Sequence, residues 1–447
     1  MSDEERFLGR MRASIERWPL PRTAPPRFAV AFSGGLDSTV LLAAALRLEL
    51  GAVRALHVNH GLAEAADAWE THCREAAAAL GAEYASVRVA VERRGVGTEA
   101  AARHARYVAL AELMQPGEVL LTAHHADDQL ETLLLRMMRG SGVRGLRGVL
   151  PFGKFPPGFL GRPLLFATRT EIRAAAGRFG LSWLEDPANQ ELRYDRNFLR
   201  HEVLPLLIER WPAAPKLAAR LAAQMRDAET ILEEVARNDA AAIEDLRRIP
   251  AAALAALTPA RQRNLLRHAL RELGIPVPGA DAIERLRNAA VGQRPDAQTR
   301  LGWPGGEARV HRDHLYLLPT PAAGSGPGYR AAVSAARPWT GPEGVVRFDA
   351  AQADEGLPAS WVNEGLTLAF RQGGERFRPL GAQHTVSLKH WLQERGIVPW
   401  MRDRIPLLFR GERLVAIGDL AVAEDVREAP PGEPRMRVIW TDHPPLQ

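Results

Sequence analysis

Two short stretches hold residue types at spacings that do chemistry. The first is Ser33-Gly34-Gly35-Leu36-Asp37-Ser38. It follows the apolar run Phe28-Ala29-Val30-Ala31-Phe32 and opens a second run, Val40 to Leu50, so it reads as strand, glycine turn and helix start. Two glycines let the backbone pass close to a ligand. Several N–H groups then converge at the positive end of a helix dipole, which is a cradle for phosphate. Ser33, Ser38 and Thr39 add hydroxyl donors, and Asp37 places a carboxylate where a phosphate-bound Mg²⁺ needs one. A Walker A loop requires a lysine, and none lies near 33–39. The plain alternative is a tight strand–helix turn that binds nothing.

The second stretch is Thr122-Ala123-His124-His125-Ala126-Asp127-Asp128-Gln129-Leu130-Glu131-Thr132, which begins at a strand end and runs into a helix. Asp128 and Glu131 are three residues apart, so they share a helix face and can hold an ammonium group or a metal. Zinc is the weaker choice, because adjacent histidines rarely ligate one ion and the H-E-x-x-H spacing is absent. Between these stretches, His57-Val58-Asn59-His60-Gly61-Leu62 ends a strand, where His57 and Asn59 suit adenine or ribose. A merely polar strand end explains those residues as well. Arg103 sits four residues after Glu99 and three before Arg106, so it can meet a phosphate or carboxylate, or simply join a surface ion-pair ladder.

These groups must be positioned by alternating elements. Strand-like runs occur at 27–32, 53–58, 84–89 and 118–122, and helical stretches at 36–50, 64–80, 98–114 and 126–139. That alternation predicts an α/β fold with a doubly wound parallel sheet, whose ligands bind beyond the carboxyl ends of the strands. Residues 140–165, rich in Gly and Pro, read as a mobile loop. Trp211-Pro212 closes a first domain, 1–212. Residues 213–325 form a mostly helical middle domain with strands near Gly305-Gly306, a linker follows, and 343–447 form a small α+β domain.

Bulk composition narrows the class. The 447 residues exceed one typical core. No apolar run reaches a membrane span, the acidic start lacks a signal-peptide core, and Cys73 is the single cysteine, which together predict a cytoplasmic protein without disulfides. Net charge is +5, but residues 136–178 alone hold nine basic residues against one acidic, Glu171. A polyanion such as RNA fits that segment, as does a solvated arginine face. Residues 370–413 hold nine basic residues against four acidic, interleaved with Phe377, Trp391 and Trp400. Phosphate contacts and stacking on unpaired bases would use that pattern, and so would an aromatic core.

The hexapeptide resembles the pyrophosphate-cradling loop of the ATP pyrophosphatase (PP-loop) superfamily. The wider series closely resembles the tRNA(Ile)-lysidine synthetase family in its three-domain form. It comprises SGGLDS, HVNHGL, E-A-A-R-x-x-R-Y, TAHHADDQLET and R-x-x-R-G-S-G-x-x-G-L-x-G. It continues with Arg162-Pro163-Leu164-Leu165, Trp183-x-Glu185-Asp186-Pro187-x-Asn189 and Tyr194-x-Arg196-Asn197-x-x-Arg200. Near the end, Phe370-Arg371-x-Gly373-Gly374-Glu375-Arg376, Lys389 and Pro399-Trp400-x-Arg402 resemble that family's terminal domain.

The resemblance implies a specific chemistry. Lysine would be ligated to C2 of the wobble cytidine of a CAU-anticodon tRNA(Ile), through an adenylated tRNA, with release of AMP and pyrophosphate. It implies that Ser33, Gly34, Gly35, Leu36, Asp37 and Ser38, with His57 and Asn59, bind ATP, and that Asp37 holds Mg²⁺. Asp128 and Glu131 would bind free L-lysine and Arg103 would face the reacting centre. Candidate tRNA contacts are Arg136, Arg139, Arg144, Arg147, Arg196, Asn197, Arg200, Arg371, Arg376, Lys389 and Arg402. No protein or membrane partner is implied. A tRNA thiolase of the same superfamily is the enzymatic alternative, opposed by the lone Cys73. A non-catalytic tRNA-binding protein is another, opposed by the joint presence of Asp37, Asp128 and Glu131.

Overall fold

A computed structural model describes residues 2–20, 25–59, 66–89, 98–185, 191–292, 299–320, 326, 328–351, 356–430 and 432–446. The chain divides into two compact units, Met1–Ile231 and Leu232–Gln447.

In the first unit, β1 (Phe28–Ala31) lies between β2 (Val53–Asn59) and β4 (Val119–Leu121), parallel to both. Phe28 stands opposite Val53 on one side and Val119 on the other. With β3 (Glu83–Arg88), β5 (Phe152–Phe155) and β6 (Gly158–Gly161) the sheet order is β3-β2-β1-β4-β6-β5. The chain winds outward from β1 in one direction and then in the other. The switch point therefore lies at the carboxyl ends of β1 and β4, where doubly wound folds bind ligands. Residues 33–35 leave the first of these ends, and 122–125 leave the second.

The helices close both faces. In α2 (Leu36–Arg47) residues Val40 to Ala45 are all buried, and the small residues Ala43, Ala44 and Ala45 allow close packing. Helix α7 (Arg169–Phe179) buries Ile172, Ala175 and Ala176 in the same core. Helix α1 (Asp3–Glu16) starts with a Ser2–Glu5 capping box and buries Phe7, Met11 and Ile15, spaced four apart. Each such side chain stabilises the unit by roughly 1.5–3 kcal/mol.

The segment 140–165 is not a loop, which corrects the reading made from its Gly and Pro content. It forms a short helix, α6 (Val143–Leu146), and then the β5–β6 hairpin, whose β6 runs parallel to β4 and extends the sheet. Buried Gln129 and half-buried Arg136 and Arg162 pin its backbone. Gln129 both donates to the Val149 carbonyl (2.7 Å) and accepts from the Val149 N–H (2.8 Å). Arg136 Nη1 donates to the carbonyls of Gly145 (2.5 Å) and Gly148 (2.9 Å), and Arg162 Nη1 to that of Leu150 (2.7 Å).

After α7 come α8 (Asp195–Phe198), a π-helical turn at Leu199–Val203, α9 (Leu204–Arg210) and the 27-residue α10 (Ala214–Ala240), within which the unit boundary falls.

The second unit has two hydrophobic cores. One joins helices at 251–291 to a four-stranded antiparallel sheet that includes His314–Pro319. The other fills the sheets of 330–441. Phe377 and Trp391 lie in this second core as an edge-to-face pair at 5.3 Å, so they are packing residues and not the stacking platforms expected from sequence. Trp400 is half-buried against Tyr316, with the Arg309 guanidinium 5.0 Å from its ring centre.

Candidate active site at the sheet's switch point

The loop after β1 is held from two sides. Trp69 Nε1 donates to the Ser33 carbonyl (2.6 Å) and the Leu184 N–H to the Gly34 carbonyl (3.0 Å). Gly34 has φ +74°, and a Cβ there would stand 2.7 Å from Cys73 Sγ, so the position requires glycine. Ser38 Oγ accepts from the Ser33 N–H (3.2 Å) and donates to the Gly35 carbonyl (3.1 Å), while Thr39 Oγ1 donates to the same carbonyl (2.9 Å). The loop's carbonyls are thus tied inward, and the first-turn N–H groups of α2, which have no intrahelical partners, form the open end. Asp37 sits in that turn, and its Oδ1 is buried without a hydrogen-bond partner. A buried carboxylate oxygen left unmatched is what a cation would satisfy. Among the described residues no group of three or more His, Cys, Asp or Glu could cage a metal by itself. The donor set therefore fits Mg²⁺ shared between one carboxylate and phosphates.

The second half of the site is α5 (Ala126–Met138), which starts directly after β4. Asp128 and Glu131 are buried on its inner face, as the three-residue spacing predicts. Their partners come from 65 to 72 residues further on. Arg196 donates from Nε to Glu131 Oε2 and from Nη2 to Asp128 Oδ1, both at 2.8 Å. Arg200 donates from Nε to Glu131 Oε1 (2.7 Å), and from Nη2 to Asp128 Oδ1 (3.0 Å) and Glu131 Oε2 (3.1 Å). Burial works against the Asp128 charge, but His125 and the two guanidinium groups hold that carboxyl well below its usual range. A cavity of about 320 Å³ abuts the cluster, lined in part by Glu131, Arg200, Arg169 and Arg173.

His125 joins the two halves. It caps α5, and its Nε2 lies 3.7 Å from Asp37 Oδ2 and 3.5 Å from Asp128 Oδ2, with Nδ1 3.3 Å from Asp127 Oδ2. Burial disfavours its charge, yet Asp128, Asp127 and Asp37 outweigh burial and raise its pKa to about 10. His125 is therefore an imidazolium at neutral pH. Its neighbour His124 has the opposite fate. Burial, aided by Arg162, Arg103 and Arg196, lowers its pKa to about 3 despite Asp128, so it stays neutral with Nδ1 2.9 Å from Thr122 Oγ1. Sequence reasoning treated this pair only as failed zinc ligands and missed the role of His125. The usable signal was a histidine at a helix N-terminus with aspartates two and three residues after it.

Other candidate residues take varied places. His57 is buried, donates from Nδ1 to the Phe32 carbonyl (2.9 Å) and is kept neutral chiefly by burial, leaving Nε2 as an acceptor. Asn59 is buried and donates to Glu70 (2.8 Å) and Asp67 (3.3 Å). His60 and Asp186, Pro187 and Asn189 lie outside the described residues. Arg103 is exposed, with its guanidinium 5.1 Å from the Tyr107 ring centre. Arg136 is spent on backbone carbonyls, Arg144 and Arg147 pair with Glu229 (3.2 and 2.7 Å), and exposed Arg139 lies 3.8 Å from Asp195. Asn197 donates to the Glu191 carbonyl (3.1 Å). In the second unit Arg371 pairs with Asp403 (2.8 Å), Arg402 donates to the Ile397 carbonyl (2.9 Å), and Arg376 and Lys389 are exposed.

Three family descriptions match in order along the chain: a PP-loop domain over residues 9–207, a TilS substrate binding domain over 250–316 and a TilS substrate C-terminal domain over 366–440. The chain is 42% identical to the tRNA(Ile)-lysidine synthase of Alkalilimnicola ehrlichii over 440 residues, 94% of each chain. This chain belongs to the tRNA(Ile)-lysidine synthase family. The corresponding enzyme of Xanthomonas campestris is 40% identical over 90% of this chain and 93% of its own. That of Escherichia coli O157:H7 is 37% identical over 92% and 95%. The glycine loop at 33–38 and the acid pair both lie within the matched PP-loop domain, with His125 between Asp37 and Asp128.

Cys73 is the residue a sulfur-transferring alternative would need. It is fully buried behind Gly34, and burial pushes its thiol up to about 12, so it is not a nucleophile. No described helix is long and apolar enough to cross a membrane.

Proposed function

We propose that this enzyme, a C–N ligase, uses ATP to join free L-lysine to C2 of the wobble cytidine in a CAU-anticodon tRNA(Ile). One observation supports the reading above the others. The phosphate loop and the acid pair leave adjacent parallel strands at the switch point, and one imidazolium lies within 3.7 Å of Asp37 and 3.5 Å of Asp128. ATP chemistry and amine chemistry therefore share one centre.

In the first half-reaction the cytidine C2 oxygen attacks the α-phosphorus of ATP. The bond to the bridging oxygen breaks, leaving an adenylated base and pyrophosphate. The open N–H groups of the loop and the α2 dipole stabilise the leaving pyrophosphate. Mg²⁺ held by Asp37 would neutralise phosphate charge there. The His125 imidazolium adds a fixed positive charge beside Asp37 without giving up its proton.

In the second half-reaction the lysine ε-amine attacks C2 and AMP leaves with the former C2 oxygen. The free amine has a pKa of about 10.4, so one proton must depart before or during attack. Asp128 and Glu131 attract and orient the ammonium form. Asp128, held strongly acidic, is a poor proton acceptor and acts as counter-charge. His57 Nε2 and the end of β2 are the candidate adenine side of the loop. Exposed basic residues of the second unit, Arg376 and Lys389 among them, are candidate phosphate contacts for tRNA.

The test is to incubate the protein with ATP, Mg²⁺, radiolabelled lysine and CAU-anticodon tRNA(Ile). Lysine should enter the tRNA in step with AMP release, and not enter the methionine tRNA bearing the same anticodon. No incorporation would refute the reading.

A further inference from the structure

The acid pair proposed for lysine is already covered by two arginines. Glu131 Oε1 and Oε2 and Asp128 Oδ1 each accept from Arg196 or Arg200, and Asp128 Oδ2 accepts from the His125 N–H at 2.9 Å. All four carboxylate oxygens have donors. Two carboxylates face two guanidinium groups, and His125 Nε2 lies 3.5 Å from Asp128 Oδ2. An ammonium added to this cluster would have to enter beside two guanidinium groups that already pair with both carboxylates.

We propose that Arg196 and Arg200 are exchangeable counter-ions that close the lysine site until RNA phosphates draw them away. Four features of the structure carry this. Both arginine side chains remain partly in water, 28% and 23% exposed, whereas Glu131 is 1% exposed. A guanidinium fork fits phosphate as well as it fits carboxylate, so exchange between the two costs little geometry. Arg200 rides on the π-helical turn Leu199–Val203, and such turns are rare and frequent at functional sites. Arg200 and Glu131 both line the 320 Å³ cavity, so departure of Arg200 would leave the Glu131 carboxylate without its guanidinium partner beside space already large enough for an amino-acid side chain.

The inference rests on Asp128 and Glu131 being the lysine site. It makes lysine admission conditional on RNA, so the amine does not meet ATP before a base is ready to be activated. By linkage, bound lysine must also tighten RNA, by the factor by which RNA tightens lysine.

Calorimetric titration of L-lysine into the full-length protein tests it, with and without CAU-anticodon tRNA(Ile) and with a non-hydrolysable ATP analogue present throughout. The expected result is at least a tenfold tighter lysine Kd with tRNA. The Arg196→Gln/Arg200→Gln variant, shown to be folded by retained binding of the ATP analogue, should bind lysine without tRNA at least tenfold more tightly than wild type. It should also lose the tRNA dependence. Equal wild-type affinity with and without tRNA overturns the inference and leaves the lysine site standing. So does a folded double variant that binds lysine no better than wild type. If lysine fails to bind under every condition, the assignment of Asp128 and Glu131 fails, and the inference with it. The wild-type arms decide the matter even if the variant does not fold.

Discussion

The two halves of the active site meet at one switch point in opposite electrostatic states. The phosphate half is underfilled: Asp37 Oδ1 is buried without a partner and the first turn of α2 presents free N–H groups. The ammonium half is overfilled, with two carboxylates covered by two arginines. An underfilled site leaves a buried acceptor and open N–H groups for a ligand to meet. An overfilled one must first lose what it holds. On the function and inference proposed above, this difference in local charge balance sets the order of substrates, and His125 is the residue in contact with both halves.

The sharpest way to break this comparison is at Asp37. Asp37→Asn should lower the adenylation rate by at least ~10²-fold, because the amide cannot balance a cation beside the phosphates. Near-normal pyrophosphate release with tRNA and ATP would show that the empty oxygen has no such role. Next is Glu131→Gln, which should raise the KM for lysine roughly 30-fold, the equivalent of about 2 kcal/mol lost from an ammonium–carboxylate pair. Steady-state kinetics in lysine would check it, and an unchanged KM would remove Glu131 from the amine site.

The bridge between the halves gives a pH signature. His125 has its pKa raised from 6.5 to about 10 in the folded protein, so it binds a proton more tightly folded than unfolded. Its contribution to stability is complete below about pH 6.5 and is lost as pH rises through about 10. Urea unfolding should show wild-type stability falling between pH 7 and pH 10, while His125→Gln starts lower and falls less. Each unit of that shift realised in solution is worth about 1.4 kcal/mol. Parallel curves for the two proteins would mean that His125 is neutral when folded. The smallest effect belongs to the second unit, where Lys389→Ala should weaken tRNA binding modestly and reduce the salt slope by about one. An unchanged slope would leave Lys389 a solvated surface residue.

The sequence made the phosphate half legible because its residues are contiguous: an apolar strand, two glycines and an acidic helix start announce their geometry. The three-residue spacing of Asp128 and Glu131 was legible for the same reason. Their arginine partners were not, since Arg196 and Arg200 reach them from 65 to 72 residues away and only the fold makes them neighbours. Residues 140–165 looked like a loop because turn residues outnumber apolar ones. Their order comes from Gln129, Arg136 and Arg162, which supply hydrogen bonds from outside the hairpin and α6. Phe377 and Trp391 looked available for stacking because their neighbours are charged, but a small domain needs its aromatics for a core. His124 and His125 are identical in type and adjacent in sequence; burial disfavours charge on both, and the arginines around one and the carboxylates around the other separate a neutral ring from a charged one.

The central claim is that one half of the site activates the base and the other admits the amine. The measurement that tests it most directly is pyrophosphate release from ATP with CAU-anticodon tRNA(Ile) in the absence of lysine, compared among wild type, Asp37→Asn and Glu131→Gln. The account predicts release by wild type and by Glu131→Gln at similar rates and almost none by Asp37→Asn. Collapse of release in Glu131→Gln together with Asp37→Asn, or its survival in both, would contradict the division.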